Sequence, residues 1–164
     1  MKDSFYMDSP IGTLCVECED EYVTGIYITT GEACSNAPHT PFAMKVTREI
    51  EDYLNGSLKE FTFSIAMQGT AFQIMVWREL LRIPYGTTAT YGDIAKRIGK
   101  PAASRAVGMA CNRNPLLLAV PCHRVVGAGG KLTGFAVGFE RKTFLLEMEK
   151  ANSTETLTSI LSKA

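Results

Sequence analysis

Residues 121–125 read Pro-Cys-His-Arg-Val, which makes a thiol and an imidazole neighbours behind a proline. A cysteine attacks as the thiolate, and an adjacent base or cation is the usual way to raise the thiolate fraction near neutral pH. Neighbouring side chains on a regular strand or helix point away from each other, so the backbone must turn if Cys122 and His123 are to act together. The alternative is a buried structural cysteine beside a surface histidine, because free cysteine packs like a small apolar residue.

The residues before this pair favour the reactive arrangement. The apolar run Leu-Leu-Leu-Ala-Val at residues 116–120 directly precedes the motif and predicts that the chain is buried there. Pro121 fixes the φ angle of the backbone on the near side of the pair. The sequence therefore predicts a turn at Cys122, and the segment before this turn is predicted to lie in the protein interior.

The composition indicates a globular protein with thiols rather than disulfides. The chain has 164 residues, of which 46% are hydrophobic, and this fits one ordinary domain or two small ones. Its five cysteines are an odd number. No apolar run approaches the roughly 20 residues of a membrane span, and the N-terminus lacks the apolar core of a signal peptide. We therefore expect a cytoplasmic protein, nucleoid-associated if it is prokaryotic.

A net charge of zero conceals a division between the two halves of the chain. Residues 1–70 contain 4 Lys and Arg against 11 Asp and Glu, a balance of −7. Residues 71–164 contain 13 Lys and Arg against 6 Asp and Glu, a balance of +7. A basic half joined to an acidic half indicates a module that binds a polyanion beside one that does not. Two halves that merely complement each other remain an alternative.

The acidic half is predicted to be a small α+β unit. Short segments rich in β-branched and aromatic residues indicate a meander of antiparallel strands at Ser4–Met7, Thr13–Glu17 and Tyr22–Thr29. After a loop at residues 31–41, Thr40 can cap a helix that has Pro41 at its first position. This helix is predicted to run to about Leu54 and to stop at Asn55-Gly56.

The other features of the acidic half are predicted to be structural. Phe61–Ile65 is predicted to be a further short strand. Cys15 and Cys18 form a C-x-x-C without a second ligand pair nearby, and on a strand they would point to opposite faces, so we predict no zinc there. His39 stands alone in a loop, and we find no catalytic group in this half.

The basic half is predicted to consist of helices with well-marked ends. Thr70 and Gln73 form a capping box in front of an apolar pattern with helical spacing. Residues 83–86, Ile-Pro-Tyr-Gly, stop that helix. Thr90 and Asp93 form a second capping box, for a short helix that runs through Arg97.

A second short helix follows after a tight turn. Gly99 suits a left-handed position in the turn, and the helix runs from Ala102 to about Cys111, which completes a helix-turn-helix pattern. Small residues surround the single Arg105, whereas a major-groove reader carries several side chains that reach base edges. This composition suits a narrow groove that is read by shape, and tight packing between helices is the alternative.

From Phe72 to Glu149 the chain resembles the O(6)-alkylguanine-DNA alkyltransferase family, the methylated-DNA–protein-cysteine methyltransferases. The resembling segments occur in the same order and cover about half of the chain: TYGDIAKRIG (90–99), ASRAVGMA (103–110), NP (114–115), PCHRVV (121–126), LTGFAVG (132–138) and KTFLLEME (142–149). The specific part is PCHRV behind the small-residue helix-turn-helix. The N-terminal half is similar in outline alone, through SPIG, a meander and a helix.

The resemblance implies a role for each matching residue. Cys122 is the nucleophile, His123 takes the thiol proton through a water, and Glu149 holds the imidazole in the right tautomer. Tyr91 donates a hydrogen bond or a proton to the departing guanine. The reaction is a displacement at an sp³ carbon. It therefore requires a good nucleophile and a leaving group whose developing negative charge is neutralised.

The resemblance also implies how the DNA is held. The target base must leave the duplex, and Arg105 fills the gap in the stack. The residues implied in DNA binding are Thr90, Tyr91, Ala103, Ser104, Arg105, Ala106 and Gly108. Those implied in the substrate pocket and its hinge are Asn114, which braces the turn, with Val125, Phe135 and Ala136. Phe135 replaces a tyrosine that is usual in the family, and Ala136 a serine that is common in some members.

The fold expected from these features is α+β. Residues 1–68 are expected to form a ribonuclease-H-like domain of antiparallel sheet plus helix, residues 69–151 a mainly helical domain with the helix-turn-helix, and residues 152–164 a tail. The expected function is DNA repair by irreversible, single-turnover transfer of the alkyl group from O(6)-methylguanine, and from O(4)-methylthymine, to Cys122. The expected partner is double-stranded DNA containing alkylated guanine, bound through the minor groove by a monomer. No membrane, cofactor or structural metal is expected.

Three other classes of protein share parts of this pattern. A helix-turn-helix regulator would contain a structural cysteine. The alkyltransferase-like proteins that bind lesions without repair carry tryptophan at the position of Cys122, so this residue argues against them. A papain-type hydrolase would require Cys-Gly-x-Cys-Trp surroundings and a distant histidine, which the sequence lacks.

Overall fold

The computed structural model describes residues 2–29, 36–132 and 138–162, with side chains described as far as Ser153. In these ranges the chain forms a three-stranded antiparallel sheet, a two-stranded parallel pair and five α-helices. The α+β class expected from the sequence is confirmed.

The N-terminal sheet is the predicted meander. Strands β1 (Lys2–Met7), β2 (Leu14–Glu19) and β3 (Tyr22–Ile28) pair antiparallel in chain order. Asp20 and Glu21 have positive φ angles of 51° and 64°, which allow β2 to reverse directly into β3. The sheet thus forms from local turns and alternating apolar residues, as the sequence indicates.

Helix α1 (Pro41–Leu54) begins and ends where the sequence predicts. The hydroxyl of Thr40 accepts a hydrogen bond from the amide of Ala43 at 3.0 Å, and Asn55 is the C-cap. The buried face of α1 consists of Ala43, Val46, Ile50, Tyr53 and Leu54. This face belongs to the same core cluster as the buried side chains of the sheet.

The predicted strand at Phe61–Ile65 is wrong except at one residue. Ile65 alone forms an isolated parallel bridge to Val23 of β3. Phe61 packs instead against Tyr53 and Phe63, with ring centroids 5.1 and 5.0 Å away. The aromatic residues that indicate a strand therefore serve as packing groups beside α1.

Three helices follow one another in the basic half: α2 (Ala71–Leu80), α3 (Tyr91–Arg97) and α4 (Ser104–Asn112). Both predicted capping boxes are present, at Thr70 and at Thr90. Gly99 has a φ angle of 76°, as expected for its place in the turn after α3. Helix α4 begins two residues later than predicted, because the amide of Ala103 closes a turn onto the carbonyl of Lys100 at 2.9 Å.

Two features of the basic half were not predicted in this form, a strand pair and the extent of the last helix. Strand β4 (Ala89–Thr90) pairs in parallel with β5 (Val125–Val126), which joins the start of α3 to the segment after the Cys-His pair. Helix α5 (Phe139–Ser162) continues without a break past Glu149, so the boundary proposed at residue 152 falls inside a helix.

One core cluster contains residues of both halves, among them Phe5 of β1, Ile50 of α1 and Trp77 of α2. The edge of β3 also binds the run that precedes the Cys-His pair. The amide of Ile26 donates to the carbonyl of Pro115 at 2.9 Å, and the amide of Leu117 donates to the carbonyl of Ile26 at 3.1 Å. No helix in the described part of the chain is long and apolar enough to cross a membrane.

Candidate active site

The backbone turns at the Cys-His pair, as predicted. Residues 122–124 form a 3-10 turn, and the amide of Arg124 donates to the carbonyl of Pro121 at 3.0 Å. Cys122 is 4% exposed and His123 is 0% exposed. The alternative of a surface histidine is therefore excluded.

A tight loop leads into this turn. Leu118 is buried with a φ angle of 71°, which is a strained conformation for a bulky residue. The side chain of Asn114 closes the loop: its Oδ1 accepts from the amide of Leu116 at 2.9 Å, and its Nδ2 donates to the carbonyl of Val120 at 2.8 Å. The same Nδ2 donates to the sulfur of Cys122 at 3.2 Å. This geometry is compatible with the bracing role expected of Asn114.

The carboxylate of Glu149 is the centre of a buried hydrogen-bond network. Its Oε2 lies 2.8 Å from Nε2 of His123, so the pair expected from the sequence is in direct contact. Arg124 donates from Nε to Oε1 at 2.8 Å and from Nη2 to Oε2 at 2.9 Å. The amide of Gly86 donates to Oε1 at 3.1 Å, and the hydroxyl of Tyr53 donates to Oε2.

These contacts keep Glu149 ionised. Burial alone would raise the pKa of this carboxyl, but the hydrogen bonds and charges of His123 and Arg124 lower it to about 2. Burial lowers the pKa of His123 from its ordinary value, although Glu149 acts in the opposite direction. The imidazole is therefore neutral near pH 7, and its Nδ1 is buried without a protein partner among the described residues.

The thiol of Cys122 is protonated at rest. Burial raises its pKa to about 11, while the hydrogen bond from Asn114 and the charge of Lys142 act to lower it. At pH 7 such a thiol is ionised to about one part in ten thousand. A base that takes the proton during the reaction is therefore required, and the neutral imidazole of His123 is its neighbour in the chain.

Tyr91 reaches the site through the β4–β5 pair, because it directly follows β4. A Cβ atom on Gly108 of α4 would lie 3.8 Å from the ring of Tyr91, so α4 packs closely here. The buried Lys142 donates to the carbonyl of Val125 at 2.6 Å, and its Nζ lies 6.0 Å from the centroid of the Tyr91 ring. Burial lowers the pKa of Lys142.

Sequence reasoning missed three polar residues of the site. Tyr53 comes from the half in which no catalytic group was predicted, and its hydroxyl lies 3.1 Å from Nε2 of His123. A tyrosine on the apolar face of a helix needs a polar partner, but the sequence does not identify it. Arg124 is part of the quoted motif and was given no role. Lys142 shares the buried face of α5 with Leu145 and Glu149, a spacing visible in the sequence.

Helix α4 has a buried face and an exposed face. Val107, Ala110 and Cys111 are buried, so the alternative of tight helix packing holds for one side of the helix. Arg105 and Ala106 are exposed, and Ala103 and Ser104 are half-buried. Further exposed cations lie on and around α3 and α4: Lys96, Arg97, Lys100 and Arg113.

The remaining site residues are distributed as follows. Thr90 is the N-cap of α3, and Val125 is buried in β5. Phe135 and Ala136 lie outside the described residues. Cys15 and Cys18 are buried free thiols, and no group of three metal-ligating side chains occurs in the part of the chain that the structure describes.

Fold and site together define a class of protein: an α+β protein with a buried thiol next to an imidazole–carboxylate pair, and with basic helices beside it. The chain matches the family model described as 6-O-methylguanine DNA methyltransferase, DNA binding domain, over residues 71–151. It is 46% identical over 147 residues to the methylated-DNA–protein-cysteine methyltransferase of Methanosarcina acetivorans, with coverage of 87% of this chain and 94% of the relative.

Solved structures agree with the sequence relatives. Mycobacterium tuberculosis OGT in complex with DNA has a TM-score of 0.83 at 41% identity, with coverage of 91% of this chain and 93% of that one. An O6-methylguanine DNA methyltransferase from Methanococcus jannaschii has a TM-score of 0.66 at 29% identity, with coverage of 89% and 93%. This chain belongs to the methylated-DNA–protein-cysteine methyltransferase family, which confirms the resemblance seen in its sequence.

Proposed function

We propose that this protein repairs DNA by transferring the alkyl group from O6 of methylguanine to the sulfur of Cys122. The curated relatives are named for methyl transfer from DNA to a protein cysteine. The observation that carries the assignment is the buried thiol of Cys122 next to His123, whose Nε2 lies 2.8 Å from Glu149. A thioether has no hydrolytic route back at useful rates, so each molecule acts once.

The proposed reaction starts from a neutral thiol and a neutral imidazole. A water relays the thiol proton to Nδ1 of His123 as the sulfur attacks the methyl carbon. The S–C bond forms while the C–O6 bond breaks, and the bonding electrons remain on guanine. The guanine anion then takes up a proton, so the proton that the thiol releases is balanced by the one that the base gains.

Glu149 stabilises the imidazolium that forms during this transfer. It carries a full negative charge near neutral pH because its pKa is about 2. Arg124 neutralises part of this charge and fixes the plane of the carboxylate through two hydrogen bonds. Glu149 therefore orients His123 more than it increases the basicity of the imidazole.

Departure of guanine is assisted by Tyr91, which donates a hydrogen bond or a proton to the base. The ammonium of Lys142, 6.0 Å from the ring of Tyr91, supports this assignment because a nearby positive charge favours both a thiolate and a departing anion. Asn114 and Val125 contribute to the pocket and its hinge, together with Phe135 and Ala136.

We also infer that α3 and α4 are a helix-turn-helix that binds duplex DNA through the minor groove. The exposed face of α4 supports this, since Ala103, Ser104 and Ala106 are small and Arg105 projects from among them. Arg105 fills the space of the flipped base. Gly108 lies on the same helix, within van der Waals reach of the ring of Tyr91.

The proposal has further parts, which the family assignment supports. The N-terminal half, residues 1–68, is a ribonuclease-H-like unit, and residues 69–151 are the DNA-binding and transfer unit. The protein acts as a monomer, also accepts O(4)-methylthymine, and works in the cytoplasm, associated with the nucleoid if the protein is prokaryotic.

The test is a single incubation with a duplex oligonucleotide that contains one O6-methylguanine. Mass spectrometry of the digested protein should find one methyl group on the peptide that contains Cys122, and no more than one per molecule. Binding of the duplex without methylation would instead favour the regulator or the lesion-binding class. Methylation of another cysteine would contradict the assignment of the nucleophile.

A further inference from the structure

Tyr53 connects the N-terminal half of the protein to the active site. It lies on α1 and is 1% exposed. Its hydroxyl donates to Oε2 of Glu149 and lies 3.1 Å from Nε2 of His123, a residue 70 positions away in the chain. The reaction proposed above assigns no task to this hydroxyl.

The arrangement of protons around Nε2 of His123 can be deduced from its neighbours. A phenol has one proton, and that of Tyr53 is donated to Glu149, so the phenol oxygen can only accept from His123. The carboxylate of Glu149 also can only accept. Burial, and then the charge of Glu149, raises the pKa of Tyr53 well above its ordinary value, so the phenol keeps its proton. Nε2 therefore faces two acceptors.

We propose that Tyr53 is a positioning residue that holds His123 in the tautomer with the proton on Nε2, which leaves Nδ1 free to accept the thiol proton. The inference rests on the proposed function and deepens it. In the other tautomer Nε2 would be an acceptor facing two acceptors, and Nδ1 would be unable to act as a base. Glu149 alone would orient the ring; Tyr53 adds a second acceptor on the same nitrogen.

The surroundings of Tyr53 are suited to a fixed position. Its ring packs against Phe61 at 5.1 Å and edge-on against Tyr85 at 6.1 Å. Among the described residues, hydrogen bonds thus connect the N-terminal half to the active-site segment through Tyr53 and through Ile26, which pairs with residues 115–117. We infer that this half positions the catalytic base in addition to contributing to the core.

The charged and titratable groups around His123 determine the direction of the expected pH effect. Glu149 and Lys142 face it from α5, Arg124 from its own turn, and Tyr53 from α1, while Tyr85 lies behind Tyr53. Without the phenol, Glu149 loses one donor and attracts a proton on His123 more strongly, so the pKa of His123 rises. Because His123 is a base only when neutral, the rising limb of the rate against pH should move to higher pH.

The test compares Tyr53→Phe with the matched control Tyr85→Phe and with wild type, in the full-length chain. The hydroxyl of Tyr85 donates to the sulfur of Met148 at 3.4 Å and makes no hydrogen bond to His123. Methyl transfer from the O6-methylguanine duplex is followed across a pH series. Tyr53→Phe should be about tenfold slower near neutral pH, the factor expected for losing one hydrogen bond to a charged group, and the difference should shrink at high pH, where thiolate forms without the base. Tyr85→Phe should retain the wild-type profile.

Nitrogen NMR of His123 in the wild-type protein measures the tautomer directly, so this test does not require that a variant folds. Nε2 should resonate as the protonated nitrogen and Nδ1 as the free one, and Tyr53→Phe should mix the two tautomers. A wild-type ring protonated on Nδ1 overturns the proposal. So does a Tyr53→Phe variant whose pH profile matches wild type, or one that is slower at every pH with an unchanged tautomer, since that result would mean a structural role. Failure of wild type itself to transfer a methyl group would contradict the proposed function instead.

Discussion

Arg124 and Glu149 form a buried bidentate ion pair, with Nε 2.8 Å from Oε1 and Nη2 2.9 Å from Oε2. Arg124 also donates from Nη1 to the carbonyl of Ile83 at 2.8 Å, so its guanidinium is held on two sides. Removing one partner of such a pair leaves the other charge buried without compensation, which typically costs about 3–5 kcal/mol. The carboxylate that orients His123 is therefore also a structural link between α5 and the Cys-His turn.

The free energy of unfolding should decrease in acid because of Glu149. Its pKa in the folded protein is about 2, below the ordinary 4.5, so its contribution is fully present above pH 4.5 and is lost as the pH falls towards 2. The shift corresponds to about 3 kcal/mol. Urea unfolding over this pH range measures it. Glu149→Gln should flatten the dependence, and the exposed Glu147→Gln should preserve it; a Glu149→Gln variant as acid-sensitive as wild type would contradict the prediction.

Glu149→Gln should also slow methyl transfer near neutral pH. A glutamine does not stabilise the imidazolium, so the apparent thiol pKa of Cys122 should rise above its value of about 11. Higher pH should recover part of the rate by supplying thiolate directly. Rates are measured on folded protein at several pH values, because Arg124 loses its partner in this variant. Glu147→Gln, exposed on the same helix, should react like wild type. An identical profile for Glu149→Gln would mean that the carboxylate supports packing alone.

Cys122→Ser should abolish methyl transfer and leave binding to an alkylated duplex nearly unchanged. In the proposed interface, binding depends on α3, α4 and phosphate contacts, whereas a serine hydroxyl is a poor nucleophile. The control is Cys111→Ala, since burial raises the pKa of Cys111 to about 12 and keeps it a thiol. That variant should transfer methyl groups fully, as should replacements of the other three cysteines, and the buried Cys15, Cys18 and Cys111 should lose some stability when replaced. Stoichiometric demethylation by Cys122→Ser would refute the assignment.

Arg105→Ala should slow repair of duplex DNA far more than reaction with free O6-methylguanine base. Only the duplex requires a flipped base, and unstacking involves a few kcal/mol, so we expect a loss on the order of tenfold or more with the duplex. Arg48→Ala, an exposed arginine on α1, should change neither rate. Equal losses on both substrates would indicate that Arg105 acts in another way.

Affinity for DNA should decrease as the salt concentration rises. In a plot of the logarithm of affinity against the logarithm of salt concentration, each phosphate contact should contribute about −0.9 to the slope. Arg124 and Lys142 are buried and should not contribute, so the effective cations are the exposed ones around α3 and α4. Lys100→Ala should reduce the slope by about one contact, whereas Lys45→Ala on α1 should not change it. Fluorescence anisotropy over a salt series measures both. Base sequence should matter little, and a salt-independent affinity would contradict the assigned interface.

The sequence was most informative where hydrogen bonds and apolar periodicity are local. The caps at Thr40, Thr70 and Thr90 each involve residues within three positions of one another, and all are present. The meander and the turn at the Cys-His pair follow from the same short-range rules. The Phe61–Ile65 strand failed because aromatic composition indicates half-buried packing, which a loop beside a helix satisfies equally well.

By itself the sequence determined the Cys-His pair, to which we assign the nucleophile and the base, and the helix that contains Glu149, since motif and spacing are properties of short segments. Only the tertiary structure decided which groups surround that base. Tyr53 meets His123 across 70 positions, and Arg124 meets Glu149 across 25. Burial, which raises the pKa of Cys122 and lowers that of His123, likewise depends on the packing of every element around the turn. Desolvation is a property of the assembled core, and no local pattern encodes it.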